Sequence, residues 1–497
     1  MIKIIPFDAT HVKVLCDDFG IQQEVADYFT YYVDGYKYMP KYKAGIFDGK
    51  IRLFDQRSKR IYTGLAAEIE KFAKNRNHNC INEVTNTEEV TYDSVVSFVK
   101  SLKLSARGKP IDARDYQLDA IYNMLSSKRI LTLSPTSSGK SLLIYCYIMW
   151  RLKNNLSVTL VVPSTMLVEQ MFNDFKDYSS INGFDVERNT NLLYSGKERV
   201  FDVPIVITTW QSVAAMMKSD VSNFKKLTDR TDVLIGDEAH TYKASVVLTV
   251  MEKFAKANYR VGTTGTLDDK KINSLVLVGI FGPIYRVITT KQLMDSGQVT
   301  PLKIKSIVLE YPELIRKAYK GQDYANEINF LIGYKERNKF IAKLAASTKG
   351  NTVVFFNFVD KHGAVLTEMI KEISDKEVYF IHGGVKTDER EEIRKLLDTK
   401  TNAVIVATSS LFSTGVNIPS IENLIFAVPS KSVIRILQSI GRGLRLKDGK
   451  THCTLYDIAD DLRYKKYINT SFNHLEDRVQ IYMKEQFDIT YTKLPLK

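Results

Sequence analysis

RILTLSPTSSGKSLLIYCYIMW, Arg129 to Trp150, passes from a short run of apolar, β-forming residues through a serine-rich loop into an apolar helix. The loop ends in Gly139-Lys140-Ser141. Backbone N–H groups gathered at a helix N-terminus bind anions, because they are unpaired and lie at the positive end of the helix dipole. Lys140 extends such a site toward the β- and γ-phosphates of a nucleotide, and the Ser141 hydroxyl suits Mg²⁺. Thr136, Ser137, Ser138 and Gly139 complete the expected cradle, so ATP and Mg²⁺ are the expected ligands. Ser134 stands where the strict pattern has its first glycine. A serine-rich turn containing Gly-Lys-Ser by accident is the plain alternative; the strand–loop–helix order argues against it.

Outward from this loop the same rhythm repeats. Apolar runs recur at RILTL (129–133), VTLVV (158–162), VPIVIT (203–208), DVLIG (232–236) and YRVGTT (259–264). A second set follows at TVVFF (352–356), EVYFI (377–381), AVIVAT (403–408), NLIFAV (423–428) and TLYDI (454–458). Continuous apolar strands alternating with helix-length segments predict parallel sheets covered on both faces. The expected fold is therefore α/β, with two parallel-sheet domains in tandem. The boundaries read as a small α+β domain over 1–105, a first sheet domain over 106–300, a second over 301–463 and a helical C-terminal appendage over 464–497. Gly297 and Pro301 punctuate the seam between the sheets, and 311–343 reads as charged helix.

DVLIG runs into Asp237-Glu238-Ala239-His240. Two adjacent acids after a strand are often a solvated loop. About 100 residues after a phosphate loop, they instead suit a metal-holding carboxylate, Asp237, and a residue that orients or deprotonates the attacking water, Glu238. In KSVIRILQSIGRGLR, Gln438, Arg442 and Arg445 fall at i, i+4 and i+7, on one helix face. Taken alone they are solvated surface residues; beside a phosphate site they suit charge stabilisation on a γ-phosphate facing the first sheet.

Composition bounds the remaining choices. At 497 residues, of which 44% are hydrophobic and 26% charged, the chain is long enough for about three globular domains. The longest strongly apolar run, Leu142 to Trp150, falls far short of the roughly 18 residues that span a bilayer, and no secretory h-region opens the chain. No membrane association and a cytoplasmic location are expected. Cys16, Cys80, Cys146 and Cys453 are scattered without CxxC or Cys/His pairing, which argues against zinc and against a disulfide framework. The net charge of +13 favours a polyanionic partner.

That charge is concentrated early. Tyr36 to Arg60 carries eight basic residues, Lys37, Lys41 and Lys43 among them, against Asp48 and Asp55. Tyr36, Tyr38, Tyr42, Phe47 and Phe54 are interleaved with them. Lysines hold phosphates and exposed aromatics stack on bases. The aromatics equally suit the core of a small domain, and that reading is slightly favoured for them; the basic face reads as a nucleic-acid surface. Asp48-Gly49, between alternating apolar runs, predicts a two-residue hairpin turn.

With these residues assembled, the chain from about 112 to 460 resembles the superfamily 2 helicases with a DEAH-type second motif. Asp237-Glu238-Ala239-His240 is that motif, and Gln438 to Arg445 fits QxxGRxxR. Arg114-Asp115-Tyr116-Gln117 resembles the adenine-reading element, Gly262 to Thr266 the coupling motif with Gly265 where Ala is common, and Thr408 to Pro419 the fifth motif, one residue longer than the common spacing. Over nearly its whole length the chain is similar to the recombination helicases of T4-type bacteriophages, in FDGKIRL (47–53), QLMDSGQVT (292–300) and LFSTGVN (411–417) among other stretches.

The resemblance implies two RecA-like sheets and ATP-driven unwinding or branch migration of branched DNA and R-loops in phage recombination, replication and repair. It implies that Tyr116 and Gln117 read adenine and that His240, Thr264 and Thr266 couple nucleotide state to strand grip. It also implies strand contacts at Thr165, Thr208, Thr209, Trp210 and Thr408, and a nucleic-acid-binding N-terminal domain. The implied partners are single-stranded, duplex and branched DNA and RNA:DNA hybrids; protein partners are unspecified. Branch migration re-forms about one base pair per pair broken, against a cost of about 1.4 kcal/mol per step for net opening, so a motor without a large strand-separating insertion suits it. A duplex translocase, an RNA helicase and a nucleic-acid-binding module with a dead ATPase stay open on sequence alone.

Overall fold

The computed structural model describes all residues except 34, 243–244, 268–270, 383–398, 409–420, 429–440, 442–449 and 497. The N-terminal region holds β1 (Ile2–Pro6), β2 (His11–Cys16), β3 (Thr30–Tyr32), β4 (Lys50–Arg52), β5 (Arg60–Tyr62) and β6 (Cys80–Asn82). Four of these make one sheet in the order β5-β2-β1-β6, antiparallel except for the β1–β6 pair. Alternation along β2 buries Val12 and Val14 against Phe29, Ile69 and Phe72. The separate β3–β4 ribbon is a small arm. A short hairpin of β7 (Ser105–Ala106) and β8 (Lys109–Pro110) leads to the first large sheet.

That sheet comprises β9 (Arg129–Leu133), β10 (Val158–Val162), β11 (Thr190–Leu193), β12 (Ile205–Thr209), β13 (Val233–Gly236), β14 (Tyr259–Thr264) and β15 (Ile284–Arg286). Its order is β11-β12-β10-β13-β14-β9-β15, every pair parallel. Every residue of β9, β10, β12 and β13 is buried, as strands covered on both faces must be. The order places β14 between β13 and β9. The two chemically loaded loops, after β9 and after β13, therefore flank the end of β14.

The second sheet comprises β16 (Leu302–Glu310), β17 (Asn351–Phe356), β18 (Glu377–Ile381), β19 (Ala403–Thr408), β20 (Ile421–Phe426), β21 (Cys453–Asp461) and β22 (Asp488–Pro495). Its order, β18-β19-β17-β20-β21-β16-β22, is again wholly parallel. The two matching sheets are the tandem RecA-like pair. Within this domain the Arg337 guanidinium donates to Asp460 at 2.7 Å with both side chains fully buried, and Arg478 of the Thr470–Lys484 helix pairs with buried Asp457 at 2.8 Å. One compact unit is built from Met1–Ser134 and Gly139–Val287, and the other contains Ile288–Lys497.

Three expectations need correction. Each sheet has seven strands, not five: β11, β15, β16 and β22 were not anticipated. The expected helical appendage over 464–497 is helix for Thr470–Lys484 only, because β22 pairs with β16 along eight residues and so belongs to the sheet. Asp48-Gly49 does not form a two-residue turn, because β4 pairs with Thr30–Tyr32, far upstream. Gly49 (φ +79°) instead admits the Tyr36 ring, whose Cδ2 lies 2.4 Å from where a Cβ would stand.

Candidate functional site

Parallel sheets bind ligands beyond the carboxyl ends of their strands, where loops leave the sheet and helix N-termini point back at it. The loop after β9 lies there. Ser137 (φ +70°) and Gly139 (φ +88°) both take left-handed backbone, which turns the chain sharply before the Lys140–Lys153 helix. Ser138 Oγ donates to the Pro135 carbonyl at 2.7 Å, and Ser134 N–H donates to the Thr264 carbonyl at 2.8 Å. The second bond ties the loop to β14. Gln117 is buried beside Gly139: a Cβ on Gly139 would lie 2.4 Å from Gln117 Nε2. Gln117 Oε1 accepts from Arg114 N–H at 3.0 Å, which sets the start of the Asp115–Leu125 helix, and the Arg114 guanidinium donates to the Tyr116 hydroxyl at 3.1 Å.

The acids lie opposite. Lys140 Nζ is 2.8 Å from Glu238 Oε1, with side-chain exposures of 16% and 24%. Glu238 has φ +48°, a strained value for a non-glycine residue, which is stored at functional turns when the surroundings enforce it. His240 Nδ1 lies 3.3 Å from Glu238 Oε2 and 2.9 Å from Thr264 Oγ1, and Thr264 Oγ1 donates to the Thr266 carbonyl at 2.9 Å. Thr263 Oγ1 donates to Asp237 Oδ1 at 2.5 Å. Sequence reading passed over Thr263; its place on the strand between the two loops makes it the hydroxyl that meets Asp237.

The environment drives the two acids apart. Burial pushes the Asp237 carboxyl above its usual range; the Lys140 ammonium opposes this without cancelling it. Burial would raise Glu238 as well, but Lys140 and then His240 outweigh it and hold Glu238 below the ordinary carboxylate range. Glu238 is thus a committed anion beside a lysine, and Asp237 is a desolvated carboxyl that forms no ion pair among the described residues.

That deficit is the test of fit for a divalent metal. Asp237 and Ser141 supply hard oxygen donors of the kind Mg²⁺ takes, and a buried carboxyl with a raised pKa is stabilised by a cation. Ser141 Oγ pairs with the Tyr178 hydroxyl at 2.7 Å, a partner that sequence reading did not foresee. Among the described residues no cluster of three or more His, Cys, Asp or Glu side chains is placed to hold a metal by itself.

The expected strand-contacting residues divide. Thr165 is exposed at the start of the Thr165–Tyr178 helix, behind its N-cap Ser164. Trp210 is half-buried against the first sheet's core, and Thr408 is half-buried at the end of β19. Thr208 and Thr209 have hydroxyls already engaged within the protein. Thr208 is fully buried and donates to the Leu193 carbonyl at 2.7 Å, while Thr209 is the buried N-cap of the Trp210–Ser219 helix, accepting from Ser212 N–H at 3.2 Å. Gln438, Arg442 and Arg445 lie outside the described residues.

On the N-terminal arm Lys37, Lys41 and Lys43 are all exposed. The aromatics split between the two readings. Phe54 joins the core at 2% exposure. Tyr32 and Tyr36 stack at 4.7 Å, Tyr42 meets Tyr36 edge-on at 4.8 Å, and Tyr38 is 82% exposed. A two-stranded ribbon has too little interior to bury its rings, so Tyr32, Tyr36 and Tyr42 pack on one another while Tyr38 stays in solvent.

Comparisons with known proteins agree with this geometry. Residues 1–82 match the family "DNA helicase UvsW, N-terminal", 110–269 match "Type III restriction enzyme, res subunit", and 336–447 match "Helicase conserved C-terminal domain". The chain is 32% identical to the ATP-dependent DNA helicase UvsW of Enterobacteria phage T4 over 98% of each chain. It superposes on the crystal structure of T4 UvsW with a TM-score of 0.53 at 30% identity, covering both chains completely. The DNA-bound Type ISP restriction-modification enzyme LlaBIII shares the fold, with a TM-score of 0.58 at 14% identity over 88% of this chain and 36% of its own. With its N-terminal domain and both helicase domains matched and 98% of its length aligned, the chain belongs to the UvsW family of superfamily 2 helicases.

Proposed function

We propose that this helicase uses ATP to unwind or branch-migrate branched DNA and R-loops, in phage recombination, replication and repair. The observation that carries the reading is the Lys140–Glu238 pair at 2.8 Å, held between the loops after β9 and β13. A lysine able to take a phosphate and an anionic carboxylate able to orient water are thereby placed side by side.

In this reading the β9 loop and Lys140 hold the phosphates, while Tyr116 and Gln117 position the base. Asp237 and Ser141 would hold Mg²⁺, which would neutralise phosphate charge. Glu238, held ionised beside Lys140, orients the attacking water and takes its proton once Lys140 turns to the phosphate. Gln438, Arg442 and Arg445 stabilise the charge that develops on the γ-phosphate. His240 transmits the state of Glu238 to Thr264 and Thr266 through hydrogen bonds already formed. Thr165, Trp210 and Thr408, together with the Lys37–Lys43 face, track the nucleic-acid backbone without reading sequence.

The test compares ATP turnover with strand separation on a fork, a Holliday junction and an R-loop, using wild type, Lys140→Ala and Arg442→Ala. Turnover should fall by about 10³-fold or more in Arg442→Ala if it acts as a charge-stabilising finger. Turnover without strand separation on any of the three substrates would assign a duplex translocase instead. Stimulation by RNA alone would assign an RNA helicase.

A further inference from the structure

The N-terminal domain is joined to the first sheet domain through the two helices that follow the nucleotide-sensing loops. The Ser245–Glu252 helix follows the His240 turn, and the Lys271–Phe281 helix follows the Gly262–Thr266 segment. On the first, Thr10 Oγ1 donates to the Glu252 carbonyl at 3.2 Å, and the Tyr62 hydroxyl donates to the Glu252 carboxylate. Fully buried Arg260, on β14, donates to Thr10 Oγ1 at 2.6 Å and to the carbonyls of Met251 and Phe254 at 3.1 and 2.7 Å. Leu275 and Val276 of the second helix lie inside the N-terminal domain's own core.

The backbones meet without side chains between them. A Cβ on Gly64 would stand 1.9 Å from the Val278 carbonyl oxygen, and one on Gly279 would stand 2.9 Å from Tyr62 Cβ. The far end of the same helix reaches the strands that carry the sensing loops. Phe281 is fully buried where Gly236, just before Asp237, and Gly262, in the coupling motif, leave room: a Cβ there would lie 2.6 and 2.7 Å from its ring. Close-packed contacts of this kind transmit displacement rather than absorb it, because neither side has free volume.

We infer that Thr10, Tyr62 and Gly64 are positioning residues that convert movement of the acid and coupling loops into movement of the N-terminal domain on its nucleic acid. This rests on the helicase reading above and adds to it the route by which turnover reaches the accessory domain. The contacts of all three run to Glu252, Arg260 and the Lys271–Phe281 helix and not to the loops after β9 and β13, so the coupling is mechanical.

The experiment uses the full chain on a forked DNA and measures base pairs separated per ATP consumed, alongside the KM for ATP, the turnover rate and the fork affinity. The variants are Gly64→Ala, which forces the contact apart, and Tyr62→Phe, which removes one hydroxyl and keeps the fold. The expected result is a yield per ATP reduced about fivefold to tenfold in Gly64→Ala, and by less in Tyr62→Phe, with KM, turnover and affinity near wild type. Unchanged yield in both variants overturns the inference, as does a loss of turnover or affinity in proportion to the loss of unwinding. If wild type itself separates no strands, the helicase reading fails first and this inference falls with it.

Discussion

Replacing Glu238 with glutamine should make the protein bind ATP more tightly while stopping its hydrolysis. Lys140 Nζ and Glu238 Oε1 are 2.8 Å apart and largely shielded from solvent. A γ-phosphate that draws on Lys140 competes with that carboxylate and is repelled by it. At 2.8 Å and an effective dielectric of about 20, the attraction is roughly 6 kcal/mol before desolvation. Desolvation of two partly buried ions offsets most of this, leaving a net pairing energy of about 1.5–2 kcal/mol. Freeing Lys140 from the pair should therefore tighten ATP binding by about 10- to 30-fold. Turnover should fall by about 10²- to 10⁴-fold, the range for loss of a positioned general base. Titration with a fluorescent ATP analogue on wild type, Glu238→Gln, Lys140→Ala and the double variant gives the thermodynamic cycle. The gain should vanish in the Lys140→Ala background. Equal or weaker affinity in Glu238→Gln would falsify the competition argument.

Gly139→Ala should raise the KM for ATP by about tenfold with the fold retained, since φ is +88° there and a Cβ would displace Gln117; an unchanged KM would separate Gln117 from nucleotide binding. Asp237→Asn should abolish turnover yet raise the melting temperature at pH 7 by a few degrees. The sign follows from the raised pKa: the folded chain binds the Asp237 proton more tightly than the unfolded chain, so stability from this group is present below about pH 3.8 and lost as pH rises through the folded value. The gain should shrink on acidification, which melting curves across pH 3.5–7 would check. Reversing charge at Lys37, Lys41 and Lys43 together should weaken nucleic-acid binding and reduce the log–log salt slope by about 3, or about 0.9 per phosphate contact. A slope equal to wild type would remove this arm from the interface.

Much of the site was legible because its chemistry is local. An anion loop needs consecutive N–H groups at a helix start, so SPTSSGKS between an apolar strand and an apolar helix can be read directly. A carboxylate pair closing a buried strand is likewise written in adjacent residues. Thr263 escaped notice because its role depends on β14 lying between β9 and β13, and nothing in YRVGTT states that neighbourhood. Thr208 and Thr209 show the same dependence: threonines at a strand end serve equally as caps and as phosphate donors, and the partners their hydroxyls take appear only in the fold. The edge strands β15 and β22 were missed because half-exposed edges lack the continuous apolar signal of central strands.

Taken alone, the linear chain determined the class of fold, the repeated strand–helix rhythm and the loop proposed to take the phosphates. Each follows from hydrophobic period or from chemistry within a few residues of backbone. Only the tertiary structure decided the strand order, the opposite fates of the two acids, the partner of Ser141 and the seating of the N-terminal domain on the Lys271–Phe281 helix. Those depend on which distant segments share a low-dielectric interior, and burial, unlike periodicity, is a property of the whole chain rather than of any stretch of it.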